Sequence, residues 1–336
     1  MENNKLKICF YALRDFDYDE LYFTKELSKE TGIDYVWSPD YPDMNNADLA
    51  KGCVAVSFPP CACPRELMEK FRSLGVKYIC CRSIGYDHVN LNDAKELGLR
   101  VSNVGYTPNG VANYAIMLML MCLRRMGHIL KRVELQDYSL KAKIGRDISN
   151  CTVGVIGTGR IGTTVLQHLS GFGCRLLAYD LYQNDAAKKV AEYVDLDTLL
   201  KEADVITLHV NANESNYHII CKDSLAKMKD GVVIVNTARG KLIDDRALID
   251  AIESGKVGAA GLDVVENEDG LYYYNHMGDV MNREDLAILR SFPNVIISPH
   301  TAFYTRQDVR EMVEGIFTAV QLFEEGKENP HEVRAK

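Results

Sequence analysis

Three glycines and an aspartate have the spacing of a dinucleotide-binding turn. Gly157, Gly159 and Gly162 follow the apolar run Val153–Ile156, which predicts a buried strand, and Asp180 closes the next predicted strand. In such a unit the first glycine makes the tight turn, the second lets backbone N–H groups approach a pyrophosphate, and the third brings the helix close to the sheet. Asp180 would bind ribose hydroxyls and repel a phosphate on them. The pattern therefore favours NAD over NADP.

Arg239, Glu268 and His300 each follow a predicted strand, within the stretches VNTARG, LDVVENE and ISPHTAFYT. Ligands of open α/β sheets bind beyond the carboxyl ends of the strands. Arg239 could hold a carboxylate with two parallel N–H bonds, although an interdomain salt bridge fits its spacing equally well. Glu268 could keep the imidazole of His300 in one tautomer and favour its protonated form. Such a pair would transfer a proton, and none of the other histidines is expected in this setting.

The composition describes a globular protein. The chain of 336 residues is 47% hydrophobic and carries a net charge of −8. It can bury a full core, and the absence of a long basic block argues against nucleic-acid or anionic-membrane partners. The start MENNKLKICFYAL lacks a signal-peptide pattern, and the most apolar stretch, Ala112–Leu123, is too short to span a bilayer. We expect a soluble, cytoplasmic protein.

Ten cysteines are scattered through predicted strands and helices. Without an export signal, reduced and mostly buried thiols are favoured over a disulfide framework. Cys61 and Cys63 are separated by a single residue, without a histidine or second cysteine pair at zinc-site spacing, so we expect no metal site.

The predicted elements, among them a helix at Glu20–Thr31, alternate strands with helices throughout, which is typical of α/β folds with doubly wound, mostly parallel sheets. Six strands are predicted for the second part of the chain: Val153–Ile156, Leu176–Tyr179, Val205–Val210, Val232–Asn236, Ala259–Asp263 and Val295–Ser298. After His300 only the helix Arg306–Glu325 and a polar tail remain, too little for a domain. We predict two Rossmann-like domains with a cleft between them. A discontinuous substrate domain would comprise residues 1–103 and 301–336, and an NAD-binding domain residues 104–300.

The longest predicted helix, Asn109–Val133, is apolar on nearly every side. A helix of this kind must be covered all round, between domains or between subunits. We therefore expect this helix to lie at an interface.

Four ordered motifs resemble those of the D-isomer-specific 2-hydroxyacid dehydrogenases. They are GVIGTGRIG at 154–162, NTARG at 236–240, DVVENE at 263–268 and PHTAFYT at 299–305. RSIGYDH at 82–88 and NVGYTPN at 103–109 resemble the substrate-domain signatures of that family. Within the family, the resemblance is strongest to the D-lactate dehydrogenases, including the form found in vancomycin-resistance operons.

This resemblance implies a role for each motif residue. Arg239 would clamp the substrate carboxylate, His300 would donate the proton, and Glu268 would be its partner. The substrate would also contact Ile84, Gly85, Tyr106, Tyr304 and Phe58. NAD would contact Gly157, Gly159, Arg160, Ile161, Gly162, Asp180, Val210, Asn211, Thr237, Ala238 and Asp263. The implied reaction is the reduction of a 2-keto acid by NADH, in a homodimer formed through the apolar helix.

Pyruvate, reduced to D-lactate, is the first expectation for the substrate, and a bulkier 2-keto acid such as 4-methyl-2-oxopentanoate or phenylpyruvate is the alternative. The loop Ser57–Cys63 is expected to form a pocket wall. Phe58 turned inward would favour pyruvate, whereas Phe58 turned away with Ser57 inward would leave room for a larger side chain. A third interpretation is an NAD-sensing, corepressor-like scaffold, because corepressors of this fold resemble the enzymes.

Two segments depart from the common pattern of these dehydrogenases. Asn211 stands where many relatives have proline, so the loop beside the cofactor is expected to differ in shape. His209 in the same loop would either assist substrate binding or be structural. The segment Asp269–Asp285 resembles the insertion of the lactate-type enzymes, and packing is the favoured role for its three tyrosines.

Overall fold

The computed structural model describes residues 5–16, 19–268 and 270–335. It divides into two compact units, one formed by Met1–Thr107 with Tyr304–Lys336 and the other by Pro108–Phe303. We call them the terminal unit and the central unit.

The terminal unit is built on a six-stranded sheet with the order β13-β5-β4-β3-β1-β2. Its strands are β1 (Lys7–Phe10), β2 (Asp34–Trp37), β3 (Ala55–Phe58), β4 (Tyr78–Cys81), β5 (Arg100–Ser102) and β13 (Glu332–Val333). Its helices are α1 (Glu20–Thr31), α2 (Arg65–Ser73), α3 (Leu91–Glu96) and α12 (Arg306–Glu324). β1 to β5 pair in parallel, which requires crossovers, and helices supply most of them.

Capping side chains and one glycine account for where the helices of this unit begin and end. Asp19 accepts the N–H of Glu20 at the start of α1, and Gly32 ends that helix in the left-handed region, with φ of +73°. Thr305 accepts the N–H of Asp308 at the start of α12. These are signals that the sequence carries locally, and the predicted bounds of both helices agree with them within one residue.

The last strand of this sheet was not predicted. β13 pairs antiparallel with β5, and both carboxylate oxygens of Glu332 accept N–H bonds from Arg100 at 2.9 Å. A two-residue strand has no hydrophobic alternation to detect. It forms because the edge of the sheet offers it a partner.

The central unit contains a seven-stranded parallel sheet with the order β12-β11-β10-β9-β6-β7-β8. Its strands are β6 (Thr152–Ile156), β7 (Arg175–Tyr179), β8 (Glu192–Tyr193), β9 (Val205–Leu208), β10 (Val232–Asn236), β11 (Val257–Leu262) and β12 (Val295–Ile297). Its helices are α4 (Asn109–Leu123), α5 (Met126–Glu134), α6 (Arg160–Leu169), α7 (Asp185–Lys188), α8 (Leu196–Glu202), α9 (Lys222–Lys227), α10 (Asp245–Glu253) and α11 (Glu284–Ser291).

The order of the strands in this sheet reverses once. The chain runs outward from β6 to β8 and then returns to β9 on the other side of β6. This switch point is where doubly wound sheets bind ligands. The short edge strand β8 is the one that the prediction of six strands missed.

The prediction of one unbroken helix over Asn109–Val133 was wrong. Arg125, with φ of +53°, separates α4 from α5. One side of α4 packs on the sheet, where a Cβ added to Gly261 would lie 3.1 Å from Leu118. The other side borders a groove of about 440 Å³, lined by Asn113, Ile116, Met117, Leu120, Met121, Arg124 and Met126. Met117 is exposed on this side of α4. The high apolar content of the helix sequence did not show which of its side chains would be exposed.

All ten cysteines are free thiols, seven of them buried and three partly buried. In the part of the chain that the structure describes, three or more histidine, cysteine or acidic side chains nowhere converge as they would around a metal ion. None of the described helices has the length and apolarity to cross a membrane.

Candidate active site

The glycine-rich turn has the geometry that a dinucleotide requires. Gly157 lies in the left-handed region, with φ of +96°, and a Cβ on Gly162 would lie 1.9 Å from the carbonyl oxygen of Gly157. A Cβ on Gly159 would meet no atom within 4 Å, so open space borders the N-terminus of α6. The N–H groups of Arg160 and Ile161 begin this helix, and such groups bind phosphates. The residues present therefore fit NAD.

Asp180 lies directly after β7, beside this turn. Its Oδ2 accepts hydrogen bonds from the backbone N–H and the hydroxyl of Thr158, at 2.5 and 3.1 Å. Its Oδ1 accepts the N–H of Tyr182 at 3.0 Å. The carboxylate thus shapes the turn, and contact with a ribose stays a prediction.

The other residues expected beside the cofactor follow β9 and β10. Val210 is partly buried and Asn211 is exposed, with its carbonyl bound by Asn216 at 2.7 Å. The Oγ1 of Thr237 is buried without a hydrogen-bond partner among the described residues, whereas Ala238 is partly exposed. An orphaned buried hydroxyl on this path is what a bound ligand would satisfy.

His209 is partly buried, and its ring is held by a neighbouring hydroxyl. Its Nε2 lies 2.9 Å from the hydroxyl of Thr207, and burial lowers the pKa of the imidazole to about 3. A Cβ added to Gly157 would lie 2.6 Å from the carbonyl oxygen of His209. A neutral ring and this close backbone packing favour the structural interpretation of His209.

Glu268 and His300 form a close pair. The Nδ1 of His300 lies 2.6 Å from Oε1 of Glu268, and both side chains are 24% exposed. No described residue forms a hydrogen bond with Nε2 of His300. A histidine whose Nδ1 is bound by a carboxylate and whose Nε2 is open has the arrangement of a general acid or base.

The backbone of His300 is strained, with φ of +53°, and neighbouring groups hold it there. Its N–H donates to the carbonyl of Asp263 at 2.8 Å. The carboxylate of Asp263 accepts the Ser298 hydroxyl at 2.7 Å and the N–H groups of Thr301 and Ala302 at 2.9 Å. Asp263, predicted to contact the nicotinamide, therefore anchors the histidine loop.

Arg239 lies at the same edge of the sheet, after β10. Asn236 shapes its turn, accepting the N–H of Ala238 at 3.0 Å and donating to the carbonyl of Arg239 at 2.8 Å. A Cβ on Gly240 would lie 2.0 Å from the carbonyl oxygen of Val265, so the two loops touch through their backbones. Only glycine permits this approach. It brings the loop of Arg239 against the loop that carries Glu268.

Apart from Arg239, the residues expected to bind substrate lie in the terminal unit. Asn103 donates to the carbonyl of Ile84 at 2.7 Å, and Ser83 donates to the carbonyl of Gly85 at 2.5 Å, so this loop is fixed. Tyr106 is partly buried. Tyr304 is half-exposed, and its hydroxyl donates to Asp19 at 2.5 Å.

A buried charge network beneath this loop was not foreseen. The Nε of Arg82 donates to Glu20 at 3.0 Å, and its Nη2 donates to the carbonyls of Tyr11 and Ala12 at 2.9 and 2.7 Å. Burial opposes ionisation of Glu20, but Arg82 and Arg14 outweigh it and lower its pKa. Sequence patterns could not predict this network, because Arg82 and Glu20 are 62 residues apart in the chain.

Phe58 is the last residue of β3 in the terminal unit. It is fully buried in the core of the terminal unit, and its ring packs edge-on against His88 with 5.8 Å between centroids. Ser57 points to the opposite face of β3, because side chains alternate along a strand. Its hydroxyl is buried and has no hydrogen-bond partner among the described residues. The role of Phe58 as a substrate contact stays a prediction.

The structure also contains a second histidine–glutamate pair, which sequence reasoning missed. The Nε2 of His218 lies 3.1 Å from each carboxylate oxygen of Glu266, and its ring stacks on Tyr217 with 3.8 Å between centroids. Glu266 precedes Glu268 by two residues, and the acidic pair in ENE was the available signal.

The sequence of residues 116–302 matches the profile of the family described as "D-isomer specific 2-hydroxyacid dehydrogenase, NAD binding domain". An aromatic 2-oxoacid reductase of Clostridium sporogenes is 44% identical over 322 residues, which cover 95% of this chain and 96% of that protein. A D-lactate dehydrogenase of Lactiplantibacillus plantarum is 38% identical over 327 residues, covering 96% of this chain and 98% of the relative.

The fold is similar to the solved structure of a D-2-hydroxyisocaproate dehydrogenase. The TM-score is 0.89 at 33% sequence identity, and the match covers 98% of this chain and 100% of the other. The similarity thus extends over both units and not only over the nucleotide-binding part.

Proposed function

Since this chain belongs to the D-isomer-specific 2-hydroxyacid dehydrogenase family of NAD-dependent oxidoreductases, we propose that it reduces 2-oxo acids with a bulky, aromatic or branched side chain. The products would be the corresponding D-2-hydroxy acids. The scaffold interpretation is set aside, because the relatives carry the names of enzymes.

The burial of Phe58 carries the substrate assignment. An aromatic ring at the end of β3 would narrow the pocket if it faced the substrate, but this ring packs in the core of the terminal unit. The residue on the opposite face is the small Ser57. A large substrate side chain gains more from apolar contact than a methyl group does, provided that space exists. The 44% identity to an aromatic 2-oxoacid reductase supports the same assignment.

His300 would act as the acid. As imidazolium it would give a proton from Nε2 to the carbonyl oxygen of the substrate, where negative charge develops. Glu268 would keep the proton on Nδ1 and stabilise the charged ring. In the reverse direction the neutral imidazole would accept the hydroxyl proton. NADH, when bound, supplies the hydride.

Arg239 would clamp the substrate carboxylate through its planar guanidinium, helped by the backbone of Ile84 and Gly85. Tyr106 and Tyr304 would line the pocket. These assignments rest on the residue types, their places at strand ends and the family resemblance. Fixing the carboxylate would decide which face of the carbonyl receives the hydride.

The residues that would hold NAD form three groups. Gly159, Arg160 and Ile161 would present N–H groups to the pyrophosphate. Asp180 would bind the adenosine ribose. The nicotinamide half would lie along the set Val210, Asn211, Thr237, Ala238 and Asp263.

Pyruvate is the second candidate substrate. The observation in its favour is the D-lactate dehydrogenase relative that matches over 96% of this chain. The product would then be D-lactate.

We also propose a homodimer located in the cytoplasm. Large apolar side chains that follow the groove along α4 are exposed in the central unit, namely Leu130, Leu135, Tyr138, Leu140 and Ile144. A second copy would cover them. The ten free thiols suit a reducing compartment.

The substrate proposal is tested by following NADH oxidation with a panel of 2-oxo acids. We expect kcat/KM for phenylpyruvate and 4-methyl-2-oxopentanoate to exceed that for pyruvate by at least about tenfold. Preference for pyruvate would overturn the substrate assignment, and no turnover with any 2-oxo acid while NADH still binds would overturn the proposed activity.

Two variants at the end of β3 refine this test. Ser57→Tyr should lower kcat/KM for the bulky acids more than for pyruvate, because a larger side chain on the face of β3 opposite Phe58 would narrow the proposed pocket. Phe58→Leu is the matched control: it should destabilise the fold by about 1–2 kcal/mol and leave the ratio of the two kcat/KM values unchanged. A Phe58→Leu enzyme with a shifted ratio would place that ring in the pocket.

A further inference from the structure

The segment after Glu268 reaches the main chain of His300. The hydroxyl of Tyr273 donates a hydrogen bond to the carbonyl oxygen of His300 at 2.9 Å. The two rings are 6.3 Å apart between centroids and inclined by 37°. Tyr273 was expected to pack, but its polar end is directed at the backbone of the predicted acid.

The contact has a clear origin in the chain. The N–H groups of Leu271 and Tyr272 donate to the carbonyl of Glu268 at 3.0 and 3.4 Å, and residues 270–273 form a turn. Leu271 and Tyr272 are buried in the core of the central unit and anchor the turn. Tyr273 then takes a φ of +71°, a strained value for a tyrosine. The turn thus places the hydroxyl of Tyr273 next to the carbonyl oxygen of His300.

His300 is therefore bound at two ends by one short stretch of chain. Glu268 binds its Nδ1 at 2.6 Å, and Tyr273 binds its carbonyl at 2.9 Å. Because the φ of His300 is +53°, its backbone needs such restraints to keep the ring in place. Asp263 supplies the restraint on the N–H side, through its carbonyl at 2.8 Å.

We propose that Tyr273 is a positioning residue for His300. Its hydroxyl keeps the strained main chain of His300 in the conformation in which Glu268 can hold Nδ1 and Nε2 stays open. The neighbouring Tyr274 does not share this place, because its ring lies beside His276, with 6.2 Å between centroids. The inference rests on the proposed role of His300 as the acid.

The first experiment compares Tyr273→Phe with the matched control Tyr274→Phe, using phenylpyruvate, 4-methyl-2-oxopentanoate and pyruvate. Loss of one hydrogen bond should lower kcat about five- to tenfold in Tyr273→Phe with KM and NADH affinity unchanged. The solvent deuterium isotope effect on kcat should rise, because proton donation becomes slower. Tyr274→Phe should match the wild type in all four quantities.

The isotope effect, kcat in H2O divided by kcat in D2O, distinguishes a positioning role from a smaller fraction of folded enzyme. A smaller folded fraction would lower kcat in both solvents equally and leave the isotope effect unchanged. An unchanged isotope effect in Tyr273→Phe therefore overturns the inference. A raised KM with unchanged kcat also overturns it, because Tyr273 would then bind substrate directly.

A second measurement does not depend on turnover. The Nδ1 proton of His300, assigned by its absence in His300→Asn, should give a low-field NMR signal because of the short bond to Glu268. We expect this signal to broaden or shift in Tyr273→Phe and to persist in Tyr274→Phe. An unaltered signal in Tyr273→Phe would overturn the positioning role, whereas a wild type that turns over no 2-oxo acid would overturn only the proposed function.

Discussion

Two histidine–glutamate pairs lie in the central unit, and both glutamates come from the same loop after β11. Glu268 binds His300, and Glu266 binds His218. Their side chains are exposed to a similar extent, 24% and 24% in the first pair and 18% and 22% in the second. Burial therefore does not distinguish the pairs.

The difference lies in the ring nitrogens. His300 uses Nδ1 for Glu268, and no described residue bonds its Nε2. The Nε2 of His218 is shared between both oxygens of Glu266, its Nδ1 lies 3.9 Å from Asp244, and its ring is covered by Tyr217. The Nε2 of His300 has no acidic partner among the described residues and can exchange a proton with a ligand, whereas each ring nitrogen of His218 has a carboxylate nearby.

The largest expected effect separates the two histidines. His300→Asn should lower kcat about 10³-fold with NADH binding nearly intact, because the proton donor is lost. His218→Asn should leave kcat within about threefold and lower the free energy of unfolding by about 1–3 kcal/mol. Steady-state kinetics, NADH titration and urea unfolding measure these changes. Equal losses of kcat in the two variants would contradict the assignment of proton transfer to His300 and of a structural role to His218.

The next effect separates the two glutamates. Glu268→Gln should lower kcat about 10- to 100-fold, because a neutral amide no longer stabilises the imidazolium. Glu266→Gln, the control from the same loop, should keep kcat and lose about 1 kcal/mol of stability. The comparison would be reversed if Glu266→Gln were the slower enzyme.

A smaller effect concerns the pH dependence of the second pair. Asp245 accepts the N–H of Glu266 at 3.2 Å, and burial, with the charges of Glu266, Asp285 and Asp244, raises its pKa from 3.8 to about 7. The folded state then binds the proton more tightly, so this group's contribution to stability falls as pH rises from 3.8 to about 7.

Asp245→Asn should therefore raise the free energy of unfolding by about 1–2 kcal/mol near pH 8 and change it little near pH 4. Thermal unfolding of wild type and variant across this range checks the slope. A stabilisation that is equally large at both pH values would show that titration of Asp245 is not its source.

The smallest effect concerns Tyr217, whose hydroxyl donates to Glu266 at 2.9 Å. Tyr217→Phe should lower the free energy of unfolding by only about 0.5 kcal/mol, because the bond is exposed to solvent, and should leave kcat unchanged, because Glu266 does not bind the proposed acid His300. This variant is the counterpart of Tyr273→Phe, which removes the hydroxyl that donates to the carbonyl of His300 in the first pair. A greater loss of kcat from Tyr217→Phe than from Tyr273→Phe would contradict the contrast between the pairs.

Much of the fold was predictable because its signals are local. The bounds of α1 agree with the prediction, since Asp19 and Gly32 mark its ends within the chain itself. The order of helices and strands was equally accessible through hydrophobic patterning. β8 and β13 were not, because strands of two residues exist only through the neighbours they pair with.

The site was predictable only in part, for the same reason. Residue types and strand ends predicted that His300 and Glu268 would meet, and the structure places them 2.6 Å apart. The sequence could not show that Glu266 would find a histidine of its own, because His218 is 48 residues distant in the chain. Nor could it show which face of β3 carries Phe58.

By itself, the sequence determined the dinucleotide turn, since the φ of Gly157 and the close approach at Gly162 follow from the absence of a Cβ. The tertiary structure alone decided two things: the burial of Phe58 and the reach of Tyr273 to His300. Each depends on atoms that are distant in the chain and close in space. Backbone turns are encoded locally, whereas the roles of side chains depend on their packing partners.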